Sequence, residues 1–252
     1  MSGSFRSHAT SIDVRISRRI GSFALDRRVL GAFALAALAL AGRAWLHDNP
    51  QHNPWAPLNL DDPPGWATQR KLAALRSDPE ECLAVLDRSA VTYRSLAPAG
   101  EGSCRRADRL VLAASPLAPA QPVATCPVMI GMELWIRSLE PIANEIYASP
   151  IARIEHFGTY NCRRINGAES GNWSEHATGN AIDIAAFVTE DGQRVSVLDD
   201  WNGGESDARF LRAARDSACG IFGTVLSPDY NAAHADHFHL DQAARGLGGV
   251  CR

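Results

Sequence analysis

Four residues in two short stretches carry the chemistry that this sequence could perform. "SEHATGNAID", residues 174–183, places His176 and Asp183 seven positions apart, and "HADHFHLD", residues 234–241, places His237 and His239 two apart. On a strand, side chains alternate, so His237 and His239 share one face while Phe238 and Leu240 take the other. On a strand through "NAIDIAAFV", Asp183 shares its face with Ala181 and Ala185, and Ile182 and Ile184 point to the core. Small alanines beside a lone carboxylate leave space for something to approach it. A histidine or aspartate alone is usually an ordinary hydrogen-bonded polar residue. A set of two histidines and an aspartate with one open position is the donor set of a catalytic zinc site, in which three protein ligands leave the fourth place for water.

The elements that must position these residues are legible around them. "SDPEECLAVLDR" has Ser77 or Asp78 as N-cap, Pro79 in the first turn and Glu80 and Glu81 behind it, which predicts a helix start. A longer helical pattern runs from Val128 to about Tyr147, with an interruption expected near Pro141. Strand 180–188, the turn "EDG" and "QRVSVL" predict a β-hairpin closed at Asp191-Gly192, and 207–220 reads as a helix from Asp207 to Gly220. The expected fold class is α+β: a small, mainly antiparallel sheet bearing the zinc site, flanked by helices from 70–147 and 207–219.

Composition narrows the setting. A net charge of −3 supplies no basic field, which argues against a nucleic-acid partner. Residues 1–28 form a basic, cytoplasmic N-region with six arginines against two aspartates, followed by the uncharged apolar run "VLGAFALAALALAG" at 29–42. Positive charge before such a run is the pattern of a signal sequence. Ala39-Leu40-Ala41 offers a cleavage site, whereas extension through Leu46 makes residues 29–46 a membrane anchor, the reading favoured here. Residues 47–65 hold five prolines and read as an extended linker, with the folded domain, 66–252, beginning near Trp66. Six dispersed cysteines without a CxxC pair fit disulfides in an exported chain, in any of fifteen pairings.

These residues carry a family resemblance. "SEHATGNAID" is similar to the S-x-H-x-x-G-x-A-x-D pattern of zinc D-alanyl-D-alanine peptidases, and "HFH" to the H-x-H of the wider group with lysostaphin-like peptidases and hedgehog domains. Over residues 50–252 the chain resembles the bacterial extensin-like C-terminal domain family, through "HNPWAPLNLDDPPGWATQRKLAALR", "RIEHFGTYNCRRING", "WSEHATGNAIDIAAF", "GTVLSPDYNAAHADHFHLD" and the final "CR". The resemblance implies zinc held by His176, Asp183 and His239, with His237 as acid/base or stabiliser of the tetrahedral intermediate. It places Asp236 where the D,D-peptidases carry a glutamate base; an aspartate reaches one methylene less far. Their "GYR" arginine is matched by Asn161 after Tyr160, so Arg163 just beyond is the candidate for that role. Ser174 and Asp241 are candidates for orienting His176 and His239, and His156 and His234 are the substitutes if the register differs.

The function expected from this resemblance is a zinc-dependent peptidase, exported to the periplasm and acting on peptidoglycan stem peptides or cross-links. The alternative is a non-catalytic module in which zinc stabilises the fold and the cleft binds wall peptide. A metal-free structural protein is the reading least compatible with the donor set.

Overall fold

The structure is a computed structural model describing residues 24–245 and 249–252. Most of the basic N-region expected over 1–28 therefore lies outside the described residues. The chain divides into two units, Met1–Asp48 and Asn49–Arg252. The described part of the first is helix α1, Ala24–Asp48, 25 residues with no buried side chain and with the length and apolar composition to cross a membrane. It fits a signal or an anchor and extends at both ends beyond the expected 29–46.

The second unit begins earlier than Trp66. Leu58 and Leu60 are 6% and 2% exposed and belong to its core. The Pro50 carbonyl accepts from Lys71 Nζ, the Leu58 carbonyl from Arg88 and the Leu60 carbonyl from Arg137. The proline-rich stretch is thus no free spacer. Instead of an extended path it makes a 3-10 turn at Pro50–His52 and further turns after it, and carbonyls along it are satisfied by side chains of the helices that it crosses.

Those helices are α2 (Thr68–Ala74), α3 (Pro79–Arg88) and α4 (Cys126–Tyr147). Asp78 caps α3, its side chain accepting from the Glu81 amide. The break expected at Pro141 does not occur. Pro141 lies on the exposed side of α4, where water can take the carbonyl its ring leaves without a donor, while Trp135, Leu139 and Ala143 bury the opposite side. A small hairpin, β1 (Tyr93–Ser95) with β2 (Leu110–Leu112), connects α3 to α4.

The main sheet contains β3 (Leu117–Ala118), β4 (Ile151–Gly158), β5 (Ala181–Thr189), β6 (Arg194–Ser196), β7 (Thr224–Leu226), β8 (Phe238–Asp241) and β9 (Val250–Cys251). Its order is β3-β4-β5-β8-β7-β9, with β6 also paired to β5. The centre is antiparallel and the two short edge pairs, β3-β4 and β7-β9, are parallel. The class is α+β, with seven strands in the main sheet. The hairpin at Asp191-Gly192 forms as expected, but β6 ends at Ser196, whose side chain caps the short helix α5 (Val197–Asp200). Helix α6, Glu205–Cys219, starts two residues before Asp207.

The core lies between the sheet and α4 and α6. Ile182, Ile184, Phe238 and Leu240 project into it, with Phe187 edge-on to Trp135 and Phe210. Trp135 Nε1 on α4 donates to the Ala214 carbonyl of α6 at 2.9 Å, so the largest buried ring leaves no orphan donor. Three disulfides, Cys82–Cys126, Cys104–Cys162 and Cys219–Cys251, account for all six cysteines and fit an exported protein.

Candidate metal centre

The outward face of β5 and β8 carries the centre. The two strands pair antiparallel with Asp183 directly opposite His239, and their neighbours Ile182, Ile184, Phe238 and Leu240 fill the core behind. Alternation therefore forces the carboxylate and the imidazole to the same side. His176 arrives from a 3-10 turn, Glu175–Thr178, whose N-cap Ser174 accepts from the His176 amide. The turn closes at Gly179, where φ is +72°, and the chain then enters β5. Only a residue without a Cβ adopts that angle cheaply, which explains the glycine of the motif.

Three atoms converge. His176 Nε2, His239 Nδ1 and Asp183 Oδ1 lie 3.0 Å from one another along every side of the triangle. Donors about 2.0–2.1 Å from a tetrahedral ion stand about 3.3 Å apart, so this spacing suits a small cation after a slight outward movement. The far nitrogen of each ring is already assigned. His176 Nδ1 faces the Thr159 carbonyl at 3.2 Å, and His239 Nε2 faces Asp241 Oδ2 at 3.0 Å. Both partners only accept, so both far nitrogens donate, and in the neutral rings the lone pairs point into the triangle. Asp241 is itself held, its Oδ1 accepting from the Ala243 amide at 2.8 Å.

Electrostatics fit the same conclusion. Burial opposes the Asp183 charge, yet the close approach of the His176 and His239 rings outweighs it and holds the carboxyl well below its ordinary range. Burial likewise disfavours charge on His239, but Asp183 and Asp241 raise it to about 9. Without a cation, a proton on Nδ1 bridges to Asp183; a cation would take that proton's place.

His237 stands just before β8, on the same side as His239. Its Nε2 is 3.5 Å from Asp183 Oδ1, and its Nδ1 donates to Asp236 Oδ1 at 2.8 Å. Asp236 consequently sits behind His237 and does not line the cleft of the three candidate ligands. Arg163 lines the ligand cleft and, among the described residues, makes no ion pair. Tyr160 lies under the Arg106 guanidinium, 3.7 Å from its ring centre. Ser174 caps the turn, and the group that orients His176 is the Thr159 carbonyl. Sequence offers no signal for that partner, because a backbone oxygen is the same in every residue.

The two substitute histidines are placed elsewhere. His156 is buried, donates from Nε2 to the Pro119 carbonyl at 2.9 Å, and is lowered by that burial. His234 lines the cleft, its ring 5.1 Å from His237 and 6.0 Å from His239, with Nδ1 donating to Asn231 Oδ1. Burial, reinforced by the neighbouring histidines, brings it down to about 4. The cleft has a volume of about 700 Å³. Trp173, with the Arg164 guanidinium 4.6 Å from its ring, and Ile165 line one wall; Tyr230 and Arg245 line it from other segments. The Cys104–Cys162 bridge fixes the backbone immediately before Arg163.

No curated protein and no solved structure gave a significant match to the chain. A protein family described as "Extensin-like protein C-terminus" matches residues 80–252, a stretch that contains all three ligand candidates and every wall of the cleft. The chain therefore belongs to the extensin-like C-terminus family.

Proposed function

We propose that this protein is a zinc-dependent peptidase of the cell envelope, periplasmic and held at the membrane by α1, that hydrolyses peptide bonds in peptidoglycan stem peptides or cross-links. The observation that carries the reading is the convergence of two tautomer-fixed imidazoles and an ionised carboxylate on one point in an open cleft. Zinc bound there would supply a Lewis acid for the scissile carbonyl and lower the pKa of a water. His237 takes the next role: with Nδ1–H held by Asp236, its Nε2 lone pair accepts the proton of the attacking water and returns it to the leaving amine. The C–O bond forms first, and the tetrahedral adduct then collapses with cleavage of the C–N bond as the amine takes up the proton. Arg163 supplies positive charge on the cleft wall as the carbonyl oxygen becomes negative. The likeness of "SEHATGNAID" to the zinc D,D-peptidase pattern supports the substrate class.

One observation favours the second reading, a zinc-stabilised module that binds wall peptide without cutting it. Asp236, the counterpart of the D,D-peptidase base, is committed to His237 and does not line the ligand cleft. Metal analysis and turnover separate the two. The peptidase reading expects one zinc per chain, lost in His239→Ala, and hydrolysis abolished in His237→Ala with zinc retained. Zinc retained in wild type without hydrolysis of any wall peptide favours the binding module; a chain that takes up no zinc contradicts both.

A further inference from the structure

Two clefts lie on either side of the His237–Asp236 pair, His237 lining one and Asp236 the other. The first holds the three ligands; the second, of about 640 Å³, is lined by Phe157, Ala185, Leu198 and Asp236 among others. Three contacts join them. Asp183 lines the first and Ala185 the second, and these residues, two apart on β5, share one face of the sheet, so the floor is continuous. Asp236 lines the second while accepting, at 2.8 Å, from His237, whose ring lines the first. Phe157 lines the second with its ring edge-on to His237 at 5.9 Å. The His237 ring, only 13% exposed, thus stands low between the two clefts.

The second cleft has its own recognition chemistry. Phe157 and Leu198 are 62% and 61% exposed, two large apolar side chains on a surface floored by the small Ala185. Its arginines are already paired: Arg153 and Arg194 both bond to Glu155, at 3.0 and 2.8 Å. Its lining is mixed, with Phe157 and Leu198 set among the carboxylates of Glu155, Asp199 and Asp236, and with both arginines paired it offers no ready capture of a terminal carboxylate.

We propose that the substrate is a peptide continuing on both sides of the scissile bond, one arm in each cleft, so that the enzyme cuts within cross-linked strands instead of trimming chain ends. The proposal rests on the peptidase reading above. A site that trims ends needs a wall or a charged group where the chain stops, whereas here the face bearing Asp183 continues through Ala185 into the second cleft. Water is the only co-reactant, and the reaction is the hydrolysis already described.

The test uses the zinc-loaded full chain with cross-linked muropeptide dimers and with uncross-linked monomers of the same stem. Dimers should be cut to monomers with kcat/KM at least about tenfold above removal of the terminal residue from monomers, and Leu198→Asp should lower that ratio about tenfold. Trimming of monomers with dimers left intact, or a ratio unchanged in Leu198→Asp, overturns the proposal. If neither substrate is cut while zinc is bound, the peptidase reading fails, and hydrogen exchange in the presence of dimer decides the groove separately. Protection around both Trp173 and Leu198, lost at the latter in Leu198→Asp, supports a two-armed groove; protection confined to the first cleft, or none, overturns it.

Discussion

His176 and His239 differ from ordinary polar histidines in what stands behind each ring. A carbonyl and a carboxylate, neither able to donate, turn the imidazole lone pairs toward Asp183. Outer partners of this kind set ligand basicity and orientation, and their loss typically costs about 10–100-fold in metal affinity. Asp241→Ala should therefore weaken zinc binding by about that factor while leaving the three ligands in place, as measured by competition with a chromophoric chelator. An unchanged affinity would show that Asp241 only closes the strand end. Because the ligand nitrogens must give up their protons to a cation, the same titration should show affinity falling as pH drops below about 9, where His239 takes up its proton, and falling further toward pH 5; pH-independent binding between pH 9 and pH 5 would contradict imidazole ligation.

At the scale of elements, the centre depends on strand register and on one turn. A shift of one residue between β5 and β8 would send Asp183 or His239 into the core, and the apolar residues on either side of both prevent it. This alternation made the shared face of Asp183 and His239 legible in sequence: Ile-Asp-Ile and Phe-His-Leu state which side is buried. The proline-rich stretch was not legible in the same way. Five prolines signal an extended path, but whether such a path is free or packed depends on distant helices, and Leu58 and Leu60 show no periodicity of their own. Pro141 misled for a related reason, since tertiary packing of α4 outweighs the cost of one missing hydrogen bond. The packed reading of residues 49–65 makes a direct prediction: Leu60→Ala should destabilise the folded unit by about 2–5 kcal/mol in denaturant unfolding, as for a core leucine. A change within a few tenths of a kcal/mol would mean that the segment does not belong to the core.

For the whole molecule, three disulfides and an apolar N-terminal helix fit a chain that works outside the reducing cytoplasm. The cross-link that matters most for the cleft is Cys104–Cys162, which closes 58 residues and is worth about 4 kcal/mol on chain-entropy grounds. It ties the loop bearing Arg163 and Trp173 to the segment after β1, so the cleft wall is held by a bond from outside the sheet. The pairing itself was beyond the sequence, because it depends on which loops meet in space. The substrate is the remaining link between this architecture and a biological role. Mass spectrometry of purified peptidoglycan after incubation with the zinc-loaded protein, beside His239→Ala, tests that link most directly. New peptide fragments are expected with the wild type alone, their masses locating a cut within the stem or cross-link. Identical fragment patterns from both proteins, with zinc bound to the wild type, would contradict the peptidase reading.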